Sequence, residues 1–409
     1  MGSGGRCHAI VDALSRSPQV EKIYCAPGNA GIARQAENVK IGVEDVEALL
    51  SFAKTNAIDL TVVGPEASLA VGIVDRFQQE GLKIFGPTKA AAQIESSKEF
   101  AKRLMAKYAI PTAGYEAFDS YEEAKEYVFS RALPAVIKYD GLAAGKGVVV
   151  AESYEEADAA LKDMLLDESF GKGRVVVEDF LDGPEFSFMC VVSGEKVYPL
   201  AMAQDHKRAY EGDKGPNTGG MGAYSPVPFV TEEIREVALE KIMKATAKAM
   251  VEEGVPFVGV LYGGLILTTE GPKVIEFNAR FGDPETEVVL PRLKSDIYDL
   301  FVAAIESREC ATEWSEEAML GVVLASKGYP GSYAKGAVIK GTEDVEATIY
   351  HMGTAEHDGE LVTAGGRVMM VVGRGENLAA AREMAHAAID RIECDSLFHR
   401  RDIGHKVLD

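Results

Sequence analysis

Cysteine is scarce in this chain and follows no pairing pattern. Cys7, Cys25, Cys190, Cys310 and Cys394 are odd in number, widely spaced and without a C-x-x-C pair. That argues against a disulfide framework or a zinc site and for reduced thiols in the cytoplasm. Long apolar runs are missing as well. No stretch approaches the roughly 18 residues a bilayer-spanning helix needs, and no basic flank followed by an apolar stretch marks a secretory leader, so neither a membrane protein of that kind nor a signal peptide is expected. Basic residues number 43 against 64 acidic ones, and the resulting formal charge of −21 opposes binding to nucleic acid or an anionic membrane. Any phosphate-bearing ligand must therefore meet a local cluster of Lys and Arg. What is present is globular: 47% hydrophobic and 26% charged residues over 409 positions, enough for roughly two to four domains. Internal repeats and low-complexity linkers are not evident.

From Ile10 to about Gly86, short β-rich runs alternate with amphipathic helical stretches. Val20 to Cys25 and Leu60 to Val63 read as strands, Val43 to Asn56 and Ala70 to Glu80 as helices, and the alternation implies a parallel α/β layer. Ser96 and Glu99 fit a capping box that would start a helix with Lys98 in its first turn. Between Ala113 and Leu181 lies a compact α/β segment, with strands at Ala135 to Tyr139, Val148 to Ala151 and Arg174 to Glu178 and a helix near Tyr154 to Leu166. An amphipathic helix from Thr231 to Glu253 should end at Gly254. Beyond Ala318, strands such as Gly321 to Ala325 and Arg367 to Val372 suggest a further small α+β domain.

The turn from Lys138 to Val148, with Gly141, Gly145 and Gly147 between two strands and Lys138 and Lys146 at its margins, suits both plain hairpin geometry and phosphate binding by backbone N–H groups. It is not a Walker A loop, because Gly147 replaces the Ser or Thr that would hold magnesium. Lys98 could add its charge to the same phosphates or remain solvated. Val175 to Glu178 is a buried strand leading through Phe180 and Leu181 to Glu185, an edge able to read an adenine through backbone groups and a ribose through a carboxylate. In the strand Val274 to Arg280, alternation puts Ile275, Phe277 and Ala279 on one face and Glu276, Asn278 and Arg280 on the other. Glu276 and Asn278 could share a hard cation such as Mg²⁺, with Arg280 gripping a carboxylate or acyl phosphate; a structural ion-pair network is the alternative. The polar run Gln204 to Arg208, with Asp205 and Lys207, leads into the glycine-rich Gly215 to Gly222, with Asn217 and Gly219. This is either a substrate loop or a solvated surface loop.

In this order, the pieces resemble the ATP-grasp superfamily and, within it, the family of purine-biosynthesis ligases that join glycine to 5-phosphoribosylamine. The matching strings are Gly2 to Arg6 with His8-Ala9, Pro27 to Gly31, Val63 to Ala67, Lys138 to Val148, Gln204 to Arg208, Gly215 to Tyr224, Glu276 to Glu285 and Phe398 to Gly404, so the resemblance covers nearly the whole chain. The fold it implies is an N-terminal doubly wound parallel α/β domain over 1–97, an ATP-grasp core over 98–319 with a mobile lid at about 113–181, and a small α+β domain over 320–409.

The resemblance also implies roles. Lys98, Lys138, Gly145, Lys146 and Gly147 would contact ATP phosphates; Glu178, Phe180 and Leu181 would face the adenine, and Glu185 the ribose. Glu276 and Asn278 would hold Mg²⁺ or Mn²⁺. Asp205, Asn217 and Arg280 would position the reacting groups, Lys207 and Gly219 would bind substrate, and Gly28, Asn29 and Gly31 would hold the phosphoribosyl phosphate. The expected reaction passes through glycyl phosphate to glycinamide ribonucleotide, ADP and phosphate, in a cytoplasmic monomer. Three departures stand out: Cys7 where the family usually has Glu, Ser68 where Pro is common, and Gly263-Gly264 where related enzymes often place another acidic metal ligand. The family also opens with an apolar strand ahead of its first glycines, whereas here only Met1 precedes Gly2, so a missing first strand of about six residues is expected.

Overall fold

Side-chain caps decide where the helices around the candidate site begin. In the computed structural model, which describes residues 1–141 and 147–408, Asp45, Ser97, Ser120, Ser153, Thr231, Asp296 and Asn377 each accept a backbone N–H at a helix start. Each satisfies a donor that the helix itself leaves open. One cap lies a residue later than the capping box suggested. Ser96 closes a short turn, Gln93–Ser96. Ser97, in extended conformation, accepts from Phe100 N–H at 3.1 Å and starts Lys98–Lys107. Lys98 is thus the first helical residue, and Glu99 pairs with Arg174 instead of closing a box.

The N-terminal part alternates helix and strand, but its strands are short. β1 (Tyr24–Cys25) runs parallel to β2 (Glu37–Asn38), and β3 (Thr61–Val62) parallel to β4 (Ile84–Phe85). The longer strands expected at 20–25 and 60–63 shrink because β1 and β3 each have a partner on one side only. The helix expected over 70–80 divides into Glu66–Ala70 and Ile73–Gln79, separated by Gly72 at φ 84°.

The next segment forms its own sheet, with β5 (Tyr115–Phe118), β6 (Ala135–Tyr139), β7 (Val148–Ala151) and β8 (Val175–Asp179) in the order β5-β8-β6-β7. Helices Tyr121–Phe129 and Tyr154–Leu165 cover it. Val128, Ile137, Leu161 and Val177 belong to a core separate from the rest of the molecule.

The main antiparallel sheet sets Val258–Thr268 between Glu185–Ser193 and Gly271–Asn278. Its register corrects the strict alternation expected over 274–280. Gly264 pairs with Glu276 and Leu265 with Val274, so Ile275 is an extra residue, a β-bulge. Ile275 therefore does not share the buried face of Phe277 and is only partly covered, while Glu276 and Asn278 still share the open side. Arg280 lies beyond the strand end.

The helix from Glu232 to Glu252 follows Thr231 as expected but contains a π-helical stretch, Leu239–Lys244. A last sheet crosses the expected boundary at 319/320. Gly222–Ser225 pairs with Ala318–Ser326, which pairs with Arg367–Gly375, which pairs with Thr348–His351.

Two buried histidines tie the first helix, Gly5–Ser15, to this last sheet. His8 Nδ1 accepts the His351 N–H at 2.8 Å, and His351 Nδ1 lies 2.9 Å from Thr354 Oγ1. Burial pushes His8 down to about 4 and His351 to about 3. As pH falls, the unfolded chain takes up these protons first, so this contribution is full above about pH 6.5 and is lost progressively towards pH 4 and below. For His8 the loss should reach on the order of 3 kcal/mol by pH 4. Thermal unfolding at pH 7.5 and 4.5 should therefore show a larger drop for the natural chain than for His8→Gln. Equal drops would remove His8 from the account.

Candidate functional site

Cations gather where the four-stranded β5–β8 sheet meets the main sheet. Lys98 opens its helix and donates to the Gly141 carbonyl at 2.6 Å. Burial pushes its pKa down, and Glu276 is the leading charge that opposes this. Lys138, on β6, lies 2.9 Å from Glu178 Oε1 and donates to the Ile275 carbonyl at 2.9 Å. That carbonyl belongs to the bulged residue. Lys102, one turn after Lys98, lies 2.7 Å from Glu178 Oε2 and donates to Thr112 Oγ1 at 2.8 Å. Lys102, Lys138 and Glu178 are all buried. Burial pushes Lys102 down to about 8 against the pull of Glu178.

The Glu178 side chain, expected at an adenine-facing edge, is thus turned onto two lysines, and only its backbone is left for such a role. Phe180, just past β8, is 43% exposed. Leu181 is half-buried. Gly147 is buried, and its carbonyl accepts from Tyr139 N–H at 2.8 Å. Gly145 and Lys146 lie outside the described residues. Glu185 lies 2.5 Å from Lys207 Nζ, which holds its carboxyl below the usual range.

Glu276 and Asn278 face the same cluster. Among the described residues no hydrogen bond or ion pair engages the Glu276 carboxylate, while Asn278 Oδ1 accepts from Arg280 Nη2 at 3.3 Å. A carboxylate and an amide oxygen two residues apart suit a hard divalent cation that takes its other ligands from phosphate and water.

Arg280 is held by carboxylates from two other segments: Glu95 at 2.9 Å and Glu66 at 3.3 Å. Glu95 also accepts the Ala279 N–H at 2.7 Å. Despite burial, these two acids push the Arg280 pKa up. Arg6 completes the chain, 3.6 Å from Glu66 and donating to the Gly64 carbonyl at 2.8 Å.

Asp205 lies in a second acidic cluster. Burial, with Glu285 and Glu185 nearby, raises it to about 7 against the attraction of Lys207, 3.9 Å away. Glu285 Oε1 accepts from Tyr262 OH at 2.7 Å and Ser187 Oγ at 2.8 Å. Asn217 is exposed and pairs with Arg208 in a small hairpin. Gly219 N–H donates to Tyr329 OH at 3.0 Å, and Arg367 Nη1 donates to its carbonyl at 2.8 Å.

The Gly28–Gly31 loop abuts the first glycines, with Gly28 N–H donating to Gly2 O at 3.1 Å. Gly28 takes φ 75°, and an added Cβ would strike Asn38. Asn29 is buried, with its amide bonded to the Ser3 and His351 carbonyls at 2.8 Å each and its Oδ1 accepting Ile32 N–H at 2.9 Å. Its side chain is thus taken up in building the loop. An added Cβ on Gly31 would strike His351.

Lys102, Glu95, Glu66, Glu285 and Arg367 were not anticipated as site residues. Glu66 and Glu285 sat inside recognisable strings, and Lys102 lies four residues after Lys98, a same-face spacing. Glu95 carries no such signal.

Three descriptions match along the chain: phosphoribosylglycinamide synthetase, N domain, over 1–95; its ATP-grasp (A) domain over 96–286; and its C domain over 319–406. A phosphoribosylamine–glycine ligase of Halalkalibacterium halodurans is 53% identical over 412 residues, covering 100% of this chain and 96% of that one. The crystal structure of phosphoribosylamine–glycine ligase from Thermotoga maritima superposes with TM-score 0.87 at 36% identity, covering 98% of each chain. A biotin carboxylase–β-γ-ATP complex from Campylobacter jejuni shares the fold, with TM-score 0.76 at 15% identity, covering 98% of this chain and 92% of that one.

The lysine pair on Glu178 makes a separable prediction. Lys102→Met strands part of a buried carboxylate and should cost about 3–5 kcal/mol of stability while sparing nucleotide affinity. Lys138→Met should lower both. Denaturant titration and nucleotide binding of the two variants provide the check, and identical losses of affinity would show that Lys102 also meets the nucleotide.

Proposed function

The chain belongs to the phosphoribosylglycinamide synthetase family, and we propose that it ligates glycine to 5-phosphoribosylamine with ATP, forming a C–N bond in de novo purine biosynthesis. The products are glycinamide ribonucleotide, ADP and phosphate. The observation that carries this reading is the convergence of Lys98 and Lys138 on the open face of Glu276 and Asn278, beside an Arg280 fixed by two carboxylates.

A glycine carboxylate resists attack by an amine because its charge is delocalised and its leaving group would be oxide. Transfer of the ATP γ-phosphoryl group to it gives glycyl phosphate, and attack by the phosphoribosylamine nitrogen then expels phosphate. Lys98, Lys138 and Lys146 offset charge on the polyphosphate, and Arg280 stabilises the reacting acyl-phosphate oxygens. Glu276 and Asn278 would hold Mg²⁺ or Mn²⁺, which when bound supplies further charge neutralisation. Asp205, raised to about 7, suits the proton that the attacking amine must lose.

Lys207, Asn217 and Gly219 hold glycine, while Gly28, Asn29 and Gly31 present backbone to the phosphoribosyl phosphate. Phe180, Leu181 and the Glu178 backbone border the adenine, and Glu185 takes the ribose. The β5–β8 unit, with its own core, closes over ATP as a lid and excludes water that would hydrolyse the intermediate. Five free thiols fit a cytoplasmic enzyme, and we take it as a monomer of three domains divided near 97 and 319.

ADP release should require both glycine and freshly generated phosphoribosylamine, and release that ignores either would sink the assignment. Glu276→Gln should weaken metal–ATP binding and slow turnover by about 100-fold, in line with the loss of one charged group at a phosphoryl-transfer site, with an unchanged melting temperature. Full activity at limiting Mg²⁺ would refute the metal role.

A further inference from the structure

Glu287 is a carboxylate buried without a partner. It lies on the short helix Thr286–Val289, beyond the end of the Glu276 strand, and is closed off from solvent. Among the described residues neither of its oxygens receives a hydrogen bond, and no cation lies within ion-pair distance. An ionised carboxylate there would give up its hydration with nothing in return. The species that fits is the neutral acid, and a neutral acid carries a proton that needs an acceptor.

Asp283, four residues earlier, supplies one. Its Oδ1 lies 2.9 Å from Arg367 Nη1 but takes no hydrogen bond from it. That nitrogen donates instead to the Gly219 and Asp283 carbonyls, at 2.8 and 3.2 Å. Both carboxyls press on neighbouring glycines at the start of the first helix. A Cβ on Gly4 would come within 3.3 Å of Asp283 Oδ2, and one on Gly5 would strike Glu287 Oε1. The surrounding charges agree with one ionised and one neutral group. Despite burial, Arg367 and Arg6 hold Asp283 below the usual carboxylate range. Burial, and then the charge of Asp283, pushes Glu287 well above it. The other titratable neighbours are already occupied: Tyr350 donates to Asp12 at 3.3 Å, and His8, edge-on to Tyr350, is kept neutral by burial.

We propose that Glu287 is a neutral carboxylic acid that donates to Asp283 Oδ1, and that it is a positioning residue for the ligation, acting through Asp283 on the loops that receive both reactants. Asp283 Oδ2 accepts the Arg6 N–H at 3.3 Å and so caps a helix whose own N-cap, Gly4, has no side chain. Its Oδ1 faces the Arg367 that shapes Gly219. Fixing this one carboxylate therefore fixes the first glycines, against which the Gly28–Gly31 loop lies, together with the Gly219 loop. The positioning role rests on the reading above that these loops take phosphoribosylamine and glycine; the protonation of Glu287 does not depend on it.

Two variants of the full chain separate the state from the role. Unfolding the natural chain in unbuffered denaturant at pH 7 should release about one proton more than unfolding Glu287→Gln, because the unfolded carboxyl, with a pKa of about 4.3, gives up what the fold retains. Stability contributed by a group raised in the folded state is present below that value and lost as pH rises. The natural chain should therefore weaken against Glu287→Gln by about tenfold in its unfolding constant for each pH unit between the unfolded and folded values. Equal proton release would show an ionised Glu287 and overturn the proposal. Glu287→Met, close in size but without a donor, should raise the KM for glycine and for phosphoribosylamine about tenfold and leave the KM for ATP unchanged. Glu287→Gln, whose amide can also donate to Asp283, should restore both. Unaltered KM values in Glu287→Met would overturn the positioning role. Failure of the natural chain to ligate glycine at all would sink the assigned reaction, while the proton count would still decide the state of Glu287.

Discussion

A guanidinium taken out of water has to be matched by carboxylates, and the match at Arg280 fixes three remote pieces of chain at once. Glu95 comes from the turn just ahead of the Lys98 helix, Glu66 from the N-terminal part, and Arg6 from the first helix. Glu95 also caps the strand end through Ala279 N–H. Removing Arg280 would leave the buried Glu95 carboxylate without an ion-pair partner, which is far costlier than losing an exposed pair. The network therefore works as a positional constraint. Where the Glu276 strand ends, where the Lys98 helix begins and where the first glycines lie are all decided together.

The bulge at Ile275 adds a second coupling. An extra residue in the strand turns a carbonyl out of the ladder, and Lys138 from the β5–β8 sheet takes it. This is a direct bond between the separately cored unit and the strand that carries Glu276 and Asn278. The same ammonium lies against Glu178, so its charge is already shared before any phosphate arrives. A polyphosphate competing for Lys138 would loosen one contact between the two sheets while making another, which couples nucleotide arrival to the relative position of the sheets.

Much of this was legible because it depends on short-range pattern. The strand at 135–139, the helix at 154–165 and the polar face of Glu276 and Asn278 all follow from alternation, caps and turn residues. The bulge at Ile275, the π stretch at Leu239–Lys244 and the shift of the cap from Ser96 to Ser97 were not legible, since none of them follows from alternation or cap-residue type alone. For the same reason Lys138 was readable as a candidate cation, but its burial against Glu178 was not. Asn29 shows the limit most clearly: the residue was marked by its place in a glycine string, yet its amide serves the loop's own backbone and the His351 carbonyl.

The loop carrying Asn217 and Gly219 is shaped from the far end of the chain. Tyr329 and Arg367 bond Gly219 directly, Arg400 lies 2.9 Å from Asp213, and Gly404 N–H donates to His206 Nε2 at 3.2 Å. During synthesis the residues of the Lys98, Lys138 and Glu276 cluster emerge well before Arg400 does. A nascent chain can thus assemble that cluster while the loop carrying Asn217 and Gly219 still lacks the contacts that shape it. A chain that stops before Arg400 would keep the contacts of Lys98 and Lys138 but lose those that Arg400 and Gly404 make to Asp213 and His206.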